Sequence, residues 1–367
     1  MAEIYTNSIS RSRRRKRKNY SGKEIFFLLL DTLFTLAIPV LLFVTVAAII
    51  CQYISPERSG ALSTISLGAP IIYLADIVVM FYWVVRWRWY RATIMMVTLL
   101  LGFCYLSRYY KFDIDRDYET TYIERRYHKV MTYNVCEGKN EELVPYIEKH
   151  NPDILCLQEM NTNSDNWEAL VARYKNTRKF EDKNNNYIFS KYRILRSGCV
   201  DDLAAMSAVW ADLKIKDDTV RVVSLHLQST SIRPEDTQFL ENHTYIVDKE
   251  RESKLKSIVA RLVENNSLRA VQAEKIALFL KESPYRLIVC GDLNDVPLSY
   301  TYNILSRNLN DTFSECAEGF AYTYNTKYRL LRIDNIFVSP SVEVISYEVD
   351  NRVAYSDHYP VISRLKF

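Results

Sequence analysis

Two polar side chains at alternate positions, Asp292 and Asn294, follow the apolar run Leu287-Ile288-Val289-Cys290 and a single glycine, Gly291. The run reads as a buried strand. Broken at a glycine in this way, it projects a carboxylate and an amide from the rim of its sheet, where catalytic groups tend to sit. A plainer reading is a Gly-Asp turn in which Asn294 or Asp295 caps the next helix. Recurrence favours the first. Asn134 lies near the end of the alternating segment Lys129–Val135, and Glu159 ends Asp153–Glu159. His226 stands in Ser224-Leu225-His226-Leu227, Asp334 in Arg332-Ile333-Asp334-Asn335, and Asp357-His358 precede Tyr359-Pro360. Singly, a strand-end glutamate is usually solvated, a histidine packs in the core, and Ser-Asp-His before proline is a turn. Carboxylate, amide and imidazole groups ending successive strands suit one acid–base site.

In this order, Tyr133-Asn134, Gln158-Glu159, Leu225-His226-Leu227, Gly291-Asp292-Leu293-Asn294, Arg332-Ile333-Asp334 and Ser356-Asp357-His358 form a specific set. From His128 to Phe367 the chain resembles the endonuclease/exonuclease/phosphatase superfamily of metal-dependent phosphoesterases. The resemblance implies an α/β fold of the DNase I-like, four-layer kind: a two-sheet β-sandwich flanked by helices, with the site at one end. Cleaving a phosphate ester requires charge neutralisation on the phosphoryl oxygens and an in-line water. A hard divalent ion prefers carboxylate and amide oxygens, so Glu159 is the candidate anchor for Mg²⁺ or Mn²⁺, with Asn134 and Asp357 completing or adjusting the shell. By resemblance, Asp292 orients or deprotonates the attacking water, while Asn294 and His226 hold phosphate oxygens. His358 paired with Asp334 is a carboxylate-polarised imidazole, able to bind phosphate as a cation or to shuttle a proton. Whether Asp292 or His358 is the base stays open. Cys136 stands where the DNA-repair branch of the superfamily carries an acid, so one metal or two is open as well. Asn335 stands where that branch usually has an aromatic residue.

These side chains need strands to carry them. Besides those above, strands are expected near Tyr187–Phe189, Ser207–Leu213, Val220–Leu227, Ile333–Val338, Val342–Val349 and Pro360–Leu365, and a helix over Asn140–His150. Glu235–Glu282 is long, polar and mostly helical, and joins the strand of His226 to that of Asp292. It is expected to form helices beside the mouth of the site.

The N-terminal third is different in kind. Met1–Lys111 holds 14 Lys and Arg against 5 Asp and Glu, whereas the remainder holds 34 against 39. A mildly acidic body lacks the basic stripe of a duplex-binding protein. The seven cysteines form no CxxC pair and no zinc-type cluster, and suggest no disulfide framework. After the basic run Arg11–Lys18 come the apolar stretches Ile25–Ile54 and Leu62–Val85, each long enough to span a bilayer, and the shorter Ala92–Ser107. Arg86–Arg91 mixes arginine with tryptophan and tyrosine, as membrane interfaces do. The expected organisation is a basic cytoplasmic tail (1–24), two to three transmembrane helices (25–108), a juxtamembrane linker (109–127) and a catalytic domain (128–367). Keeping both arginine clusters inside makes the first two runs a hairpin in a multi-pass protein. If the third run also crosses, the favoured reading, the catalytic domain is extracytoplasmic; if it lies in the interface, that domain stays inside. This arrangement resembles the membrane-anchored bacterial subgroup of the superfamily, which includes a teicoplanin-resistance membrane protein.

The leading expectation is a membrane-anchored, divalent-metal-dependent phosphoesterase. Its partners would be the lipid bilayer and a phosphate-ester substrate, either a lipid-linked phosphate or a nucleic acid, with no obligate protein partner. The alternatives are a metal-dependent nuclease and an inactive membrane-anchored binding module.

Overall fold

The structure is a computed structural model and describes residues 21–111, 127–174, 176–178, 185–200, 207–232, 234–241, 249–325 and 329–367. The basic run Arg11–Lys18 and most of the expected linker lie outside the described residues.

The N-terminal region is a bundle of helices. Helix α1 (Gly22–Ile50) opens on a capping box: Ser21 Oγ accepts from the Glu24 amide at 3.3 Å, and the Glu24 carboxylate accepts from the Ser21 amide at 2.7 Å. A short α2 (Gly60–Ile65) leads through one 3₁₀ turn into α3 (Ala69–Val85), and α4 (Trp89–Leu106) turns back after Arg86–Arg88. Gly22–Tyr53 and Gly60–Val85 are long and apolar enough to cross a membrane, while Trp89–Phe103 is shorter. Their large apolar side chains point mostly outward. Phe43, Leu36 and Phe81 are 71%, 65% and 64% exposed, the reverse of a soluble core helix.

The body is a sandwich of two six-stranded sheets. The first contains β2 (His128–Glu137), β3 (Ile154–Met160), β4 (Asn176–Arg178), β5 (Tyr187–Ser190), β13 (Glu343–Val349) and β14 (Val361–Lys366), in the order β13-β14-β2-β3-β5-β4. The second contains β6 (Arg193–Cys199), β7 (Ser207–Ile215), β8 (Asp218–His226), β9 (Arg286–Asp292), β10 (Asn310–Asp311) and β12 (Asp334–Val338), in the order β10-β12-β9-β8-β7-β6. Among the described residues, only β2–β3 and β8–β9 pair in parallel. Alternate side chains build the layers. Val130, Cys156, Val222, Ile288, Cys290 and Ile336 meet between the sheets. On one outer face Leu155 and Tyr133 pack under α5 (Leu143–His150) and α6 (Asp165–Arg173). On the other, Val223 and Val289 pack under Ala273, Ile276 and Leu280 of α8 (Lys249–Lys281). Strands covered on both faces are why Leu287–Cys290 is apolar without alternation. The long polar segment resolves into α7 (Pro234–Glu241) and α8, with 242–248 outside the described residues.

Bundle and body touch directly. Tyr110–Lys111 (β1), at the start of the expected linker, pairs with Gly319–Phe320 (β11). Arg108 donates to Gln52 Oε1 at 3.1 Å and to the Pro297 carbonyl at 3.0 Å, and Asn303 donates to the Gln52 carbonyl at 3.1 Å. Leu298 is buried with Ala69, Tyr73 and Tyr109. Gly60 brings α2 so close to α8 that an added Cβ would stand 2.1 Å from Val263.

Candidate active site

Three neighbouring strands of the second sheet end together. In register His226 of β8 stands beside Asp292 of β9, and Asp334 of β12 stands on its other side. From the facing sheet, β2 and β3 supply Asn134 and Glu159. The two halves touch: Asn134 Nδ2 donates to Glu159 Oε1 at 2.9 Å and to Asp292 Oδ2 at 3.2 Å.

The backbone is bent to make this possible. Cys136, Glu137, Glu159 and Asn294 all have positive φ, between 44° and 71°. Such conformations are unfavourable for side-chain-bearing residues and gather at functional sites. Gly291 has φ of +135°, and a Cβ there would lie 2.0 Å from the Leu225 carbonyl oxygen. Only glycine lets β8 and β9 approach closely enough to set His226 beside Asp292.

Asp292 Oδ2 is the hub. Around it stand Asn294 Nδ2 at 3.1 Å, Asn134 Nδ2 at 3.2 Å, His358 Nε2 at 3.7 Å and His226 Nε2 at 3.9 Å. Its other oxygen accepts from the Asn294 amide at 2.7 Å. Burial pushes the Asp292 carboxyl above the usual range, while the charge of His358 pulls it back. His358 Nδ1 lies 2.9 Å from Asp334 Oδ2. Burial alone would lower that imidazole, but Asp334 and then Asp292 outweigh it and push it up to about 10. His358 is therefore a cation clamped between two carboxylates.

Asp292, Asp334 and His358 also form a compact group of possible metal ligands, with one atom of each within 4.8 Å of the others. As wired, that trio already holds a positive charge, and a metal would have to displace the imidazole proton. Glu159 offers a better seat. Its side chain is 40% exposed where its neighbours are buried, and Asn134 and His226 (Nε2 at 3.4 Å) steady only one of its two oxygens. A half-open carboxylate fits a hard divalent ion, whereas Asn134, expected in the shell, turns its Nδ2 to that carboxylate and accepts from the Cys136 amide through Oδ1 at 3.2 Å.

The expected residues thus converge, with two distinctions. Both hydrogen bonds from Asn294 Nδ2 are committed, one to Asp292 and one to the Leu227 carbonyl at 3.0 Å. Asp357 is exposed at the rim, against Ser356 Oγ at 3.2 Å and the Cys136 thiol, which burial and then Asp357 push up to about 11.

Several supporting residues escape a sequence reading. Between the sheets, Gln158 Nε2 donates to Ser224 Oγ at 3.0 Å, and Ser224 donates to Asn186 Oδ1 at 2.5 Å. A hydroxyl at an inward position of an apolar strand was the available signal. Thr323 Oγ1 accepts from the amides of Ile333 and Asp334 at 2.9 and 3.0 Å, and Tyr324 packs its ring 5.0 Å from that of His358. Both lie in an irregular segment with no periodicity. Arg332, fully buried, donates to Asn335 Oδ1 at 2.6 Å and to Asp311 Oδ2 at 2.9 Å, which accounts for an amide at position 335.

Comparison with known proteins places the chain. No curated protein matches it. Solved structures similar to it include a humanized TDP2 from D. rerio, at 16% identity and TM-score 0.46, covering 66% of this chain and 99% of that one. Mannosyl-6-phosphatase Bt3783 from Bacteroides thetaiotaomicron shares 18% identity, with TM-score 0.44, over 65% of this chain and all of the other. The human Nocturnin catalytic domain shares 20%, with TM-score 0.44, over 66% and 94%. Residues 29–109 match a domain of unknown function. Residues 131–358, well over half of the chain, match the endonuclease/exonuclease/phosphatase family and take in every site residue described above. The chain belongs to the endonuclease/exonuclease/phosphatase family.

Proposed function

We propose that the protein is a membrane-anchored, divalent-metal-dependent phosphoesterase that hydrolyses a lipid-linked phosphate ester or phosphodiester. Members of the family are hydrolases of phosphate esters. The observation that carries the reading here is the contrast around Asp292: a clamped imidazolium on one side and the half-open carboxylate of Glu159 on the other.

Glu159 would hold Mg²⁺ or Mn²⁺, with Asn134 steadying its carboxylate through the hydrogen bond its Nδ2 donates, and Asp357 at the rim would adjust its surroundings. When bound, the ion supplies charge neutralisation for phosphoryl oxygens. Asp292 accepts the proton of, or orients, the attacking water. Asn294 fixes Asp292 through one hydrogen bond from its backbone N–H and one from its Nδ2. His226 and His358 turn their Nε2 atoms to the hub and contact phosphate oxygens. Asp334 keeps His358 charged.

A lipid-linked substrate is favoured by the seating of the body. The loop that leaves Asp292 is the one held at Pro297 and Leu298 by the ends of the apolar helices. The acidic balance of the body argues against tight binding of a nucleic-acid duplex. The test is hydrolysis of an aryl phosphodiester, then of isoprenyl phosphates, phospholipids and DNA, by the solubilised full-length protein. Activity should require Mg²⁺ or Mn²⁺, vanish with chelator, and be abolished in Glu159→Gln with the fold intact, excess metal restoring part of it. Turnover of that variant near the native rate at low Mg²⁺ would refute the metal assignment.

A further inference from the structure

At the opposite end of the helix bundle from the catalytic body lies a groove of about 680 Å³. Leu28 and Leu36 of α1 form its apolar wall, and Arg88, Trp89, Tyr90 and Arg91, where α4 begins, form the other. One acid, Asp31, is among its lining residues, and that charge is already taken. Arg86 donates to its two oxygens at 2.9 and 2.8 Å, and the Tyr82 hydroxyl donates at 2.6 Å. The groove therefore keeps two positive charges. Among the described residues neither Arg88 nor Arg91 forms an ion pair with a carboxylate. The Arg91 guanidinium is fixed 4.3 Å over the buried Trp83 ring. No side chain caps the N-terminus of the 18-residue α4, so the positive end of its dipole faces the same space. Trp89 and Tyr90 are 56% and 79% exposed, as rings are at the level of lipid headgroups. The sequence adds Arg11–Lys18 just ahead of α1.

We propose that this groove binds the headgroup phosphate of an acidic phospholipid, with the acyl chains lying along α1. Two unpaired guanidiniums call for an anion, and an apolar wall calls for a hydrocarbon chain; an acidic lipid supplies both, a free phosphate only one. The inference rests on the helices spanning a bilayer but not on the phosphoesterase activity.

The full-length protein would be placed in phosphatidylcholine nanodiscs containing a minor fraction of either phosphatidylglycerol or phosphatidylcholine with brominated chains, and tryptophan fluorescence recorded. Trp89 lines the groove and Trp87 packs its ring 5.6 Å from that of Trp89, whereas Trp83 is buried inside the bundle and Trp167 and Trp210 lie in the body. Brominated phosphatidylglycerol should quench as though enriched about tenfold over brominated phosphatidylcholine. Arg88→Gln with Arg91→Gln should remove that preference, and Arg88→Gln alone, at an exposed position, should weaken it without disturbing the bundle. Lys23→Gln, a charge at the same end of α1 outside the groove, should leave it unchanged. Equal quenching by the two lipids in the native protein would overturn the site, as would an equal loss in Lys23→Gln. Displacement by inorganic phosphate at matched ionic strength would overturn the lipid in favour of a free anion. Quenching by neither lipid would overturn the membrane reading and this site with it, while leaving the hydrolase reading untouched.

Discussion

His358 is the residue on which the electrostatics of the site turn. Its imidazole is pushed up to about 10 because Asp334 and Asp292 outweigh the burial that opposes its charge. The sign follows directly. A folded value above histidine's ordinary 6.5 means that the charged form stabilises the folded state fully below about pH 6.5. That contribution is lost as pH rises through about 10. If catalysis needs the cation, the alkaline limb of the native rate profile should fall near the same pH. Replacing Asp334 by Asn removes the larger of the two supporting charges while leaving a group able to hydrogen-bond. The alkaline limb of Asp334→Asn should therefore move toward neutrality, and turnover should drop about 10²–10⁴-fold. A pH–rate series on an aryl phosphodiester at saturating metal decides it. A variant that merely loses rate at every pH, keeping the native limb, would show that Asp334 serves the fold rather than the charge of His358.

Among the elements, the parallel pair β8–β9 matters most, because it delivers His226 and Asp292 side by side. Gly291 faces Leu225 in that pairing, and the atoms that a Cβ would meet, at 2.0 and 2.8 Å, belong to the Leu225 backbone. Backbone in a central strand cannot swing aside as a side-chain tip can. Gly291→Ala should cost about 3 kcal/mol or more in stability and separate the two catalytic strand ends. Denaturant unfolding of the solubilised protein measures the first effect and residual turnover the second; native values for both would mean that the close approach is not needed. This pair was legible in sequence because an apolar run that stops at a glycine and a carboxylate marks a buried strand at the point where it reaches solvent. Asn134 and Glu159 were legible as polar residues closing apolar runs, and Asp334 as a carboxylate opening one. What stayed hidden has a physical cause. The strand Arg193–Cys199 lies at a sheet edge and carries arginines and a serine instead of an apolar alternation. Arg332 and Arg269 have no exposed surface, yet a buried arginine cannot be told from a solvated one until its partners are known. Those partners are Asp311 and Asn335 for the first, and Asp295, Asn266 and the Gln228 carbonyl for the second.

At the scale of the molecule, apolar helix bundle and β-sandwich body are joined through contacts between residues far apart in sequence. Arg108 holds Pro297, Arg332 holds the Arg108 carbonyl at 3.0 Å, and Asn266 of α8 donates to Ser63 Oγ at 2.8 Å. All these contacts lie at one end of the bundle, whereas Asp31 and Arg86 pair at the other. With three crossings, the N-terminus and the body fall on opposite sides of the bilayer. Translocating Arg86, Arg88 and Arg91 is costly, and the connection between α1 and α3 carries only Glu57 and Arg58 as charged residues, so the body should be the part exported. Helix α4, at 18 residues, is near the short limit for a span, and Arg108 at its outer end is anchored to Pro297 instead of lying free in the interface. A C-terminal reporter pair reads the outcome: alkaline phosphatase fused after Phe367 should be active, and a fluorescent protein at the same place should be dark. Bright cytoplasmic fluorescence would place the body inside and invert the whole bundle, since α4 packs against α1 and α3 and the body is held at their connection. Because groove and body lie at opposite ends of the bundle, the arginine groove would then face outward, and the substrate would have to come from the inner leaflet.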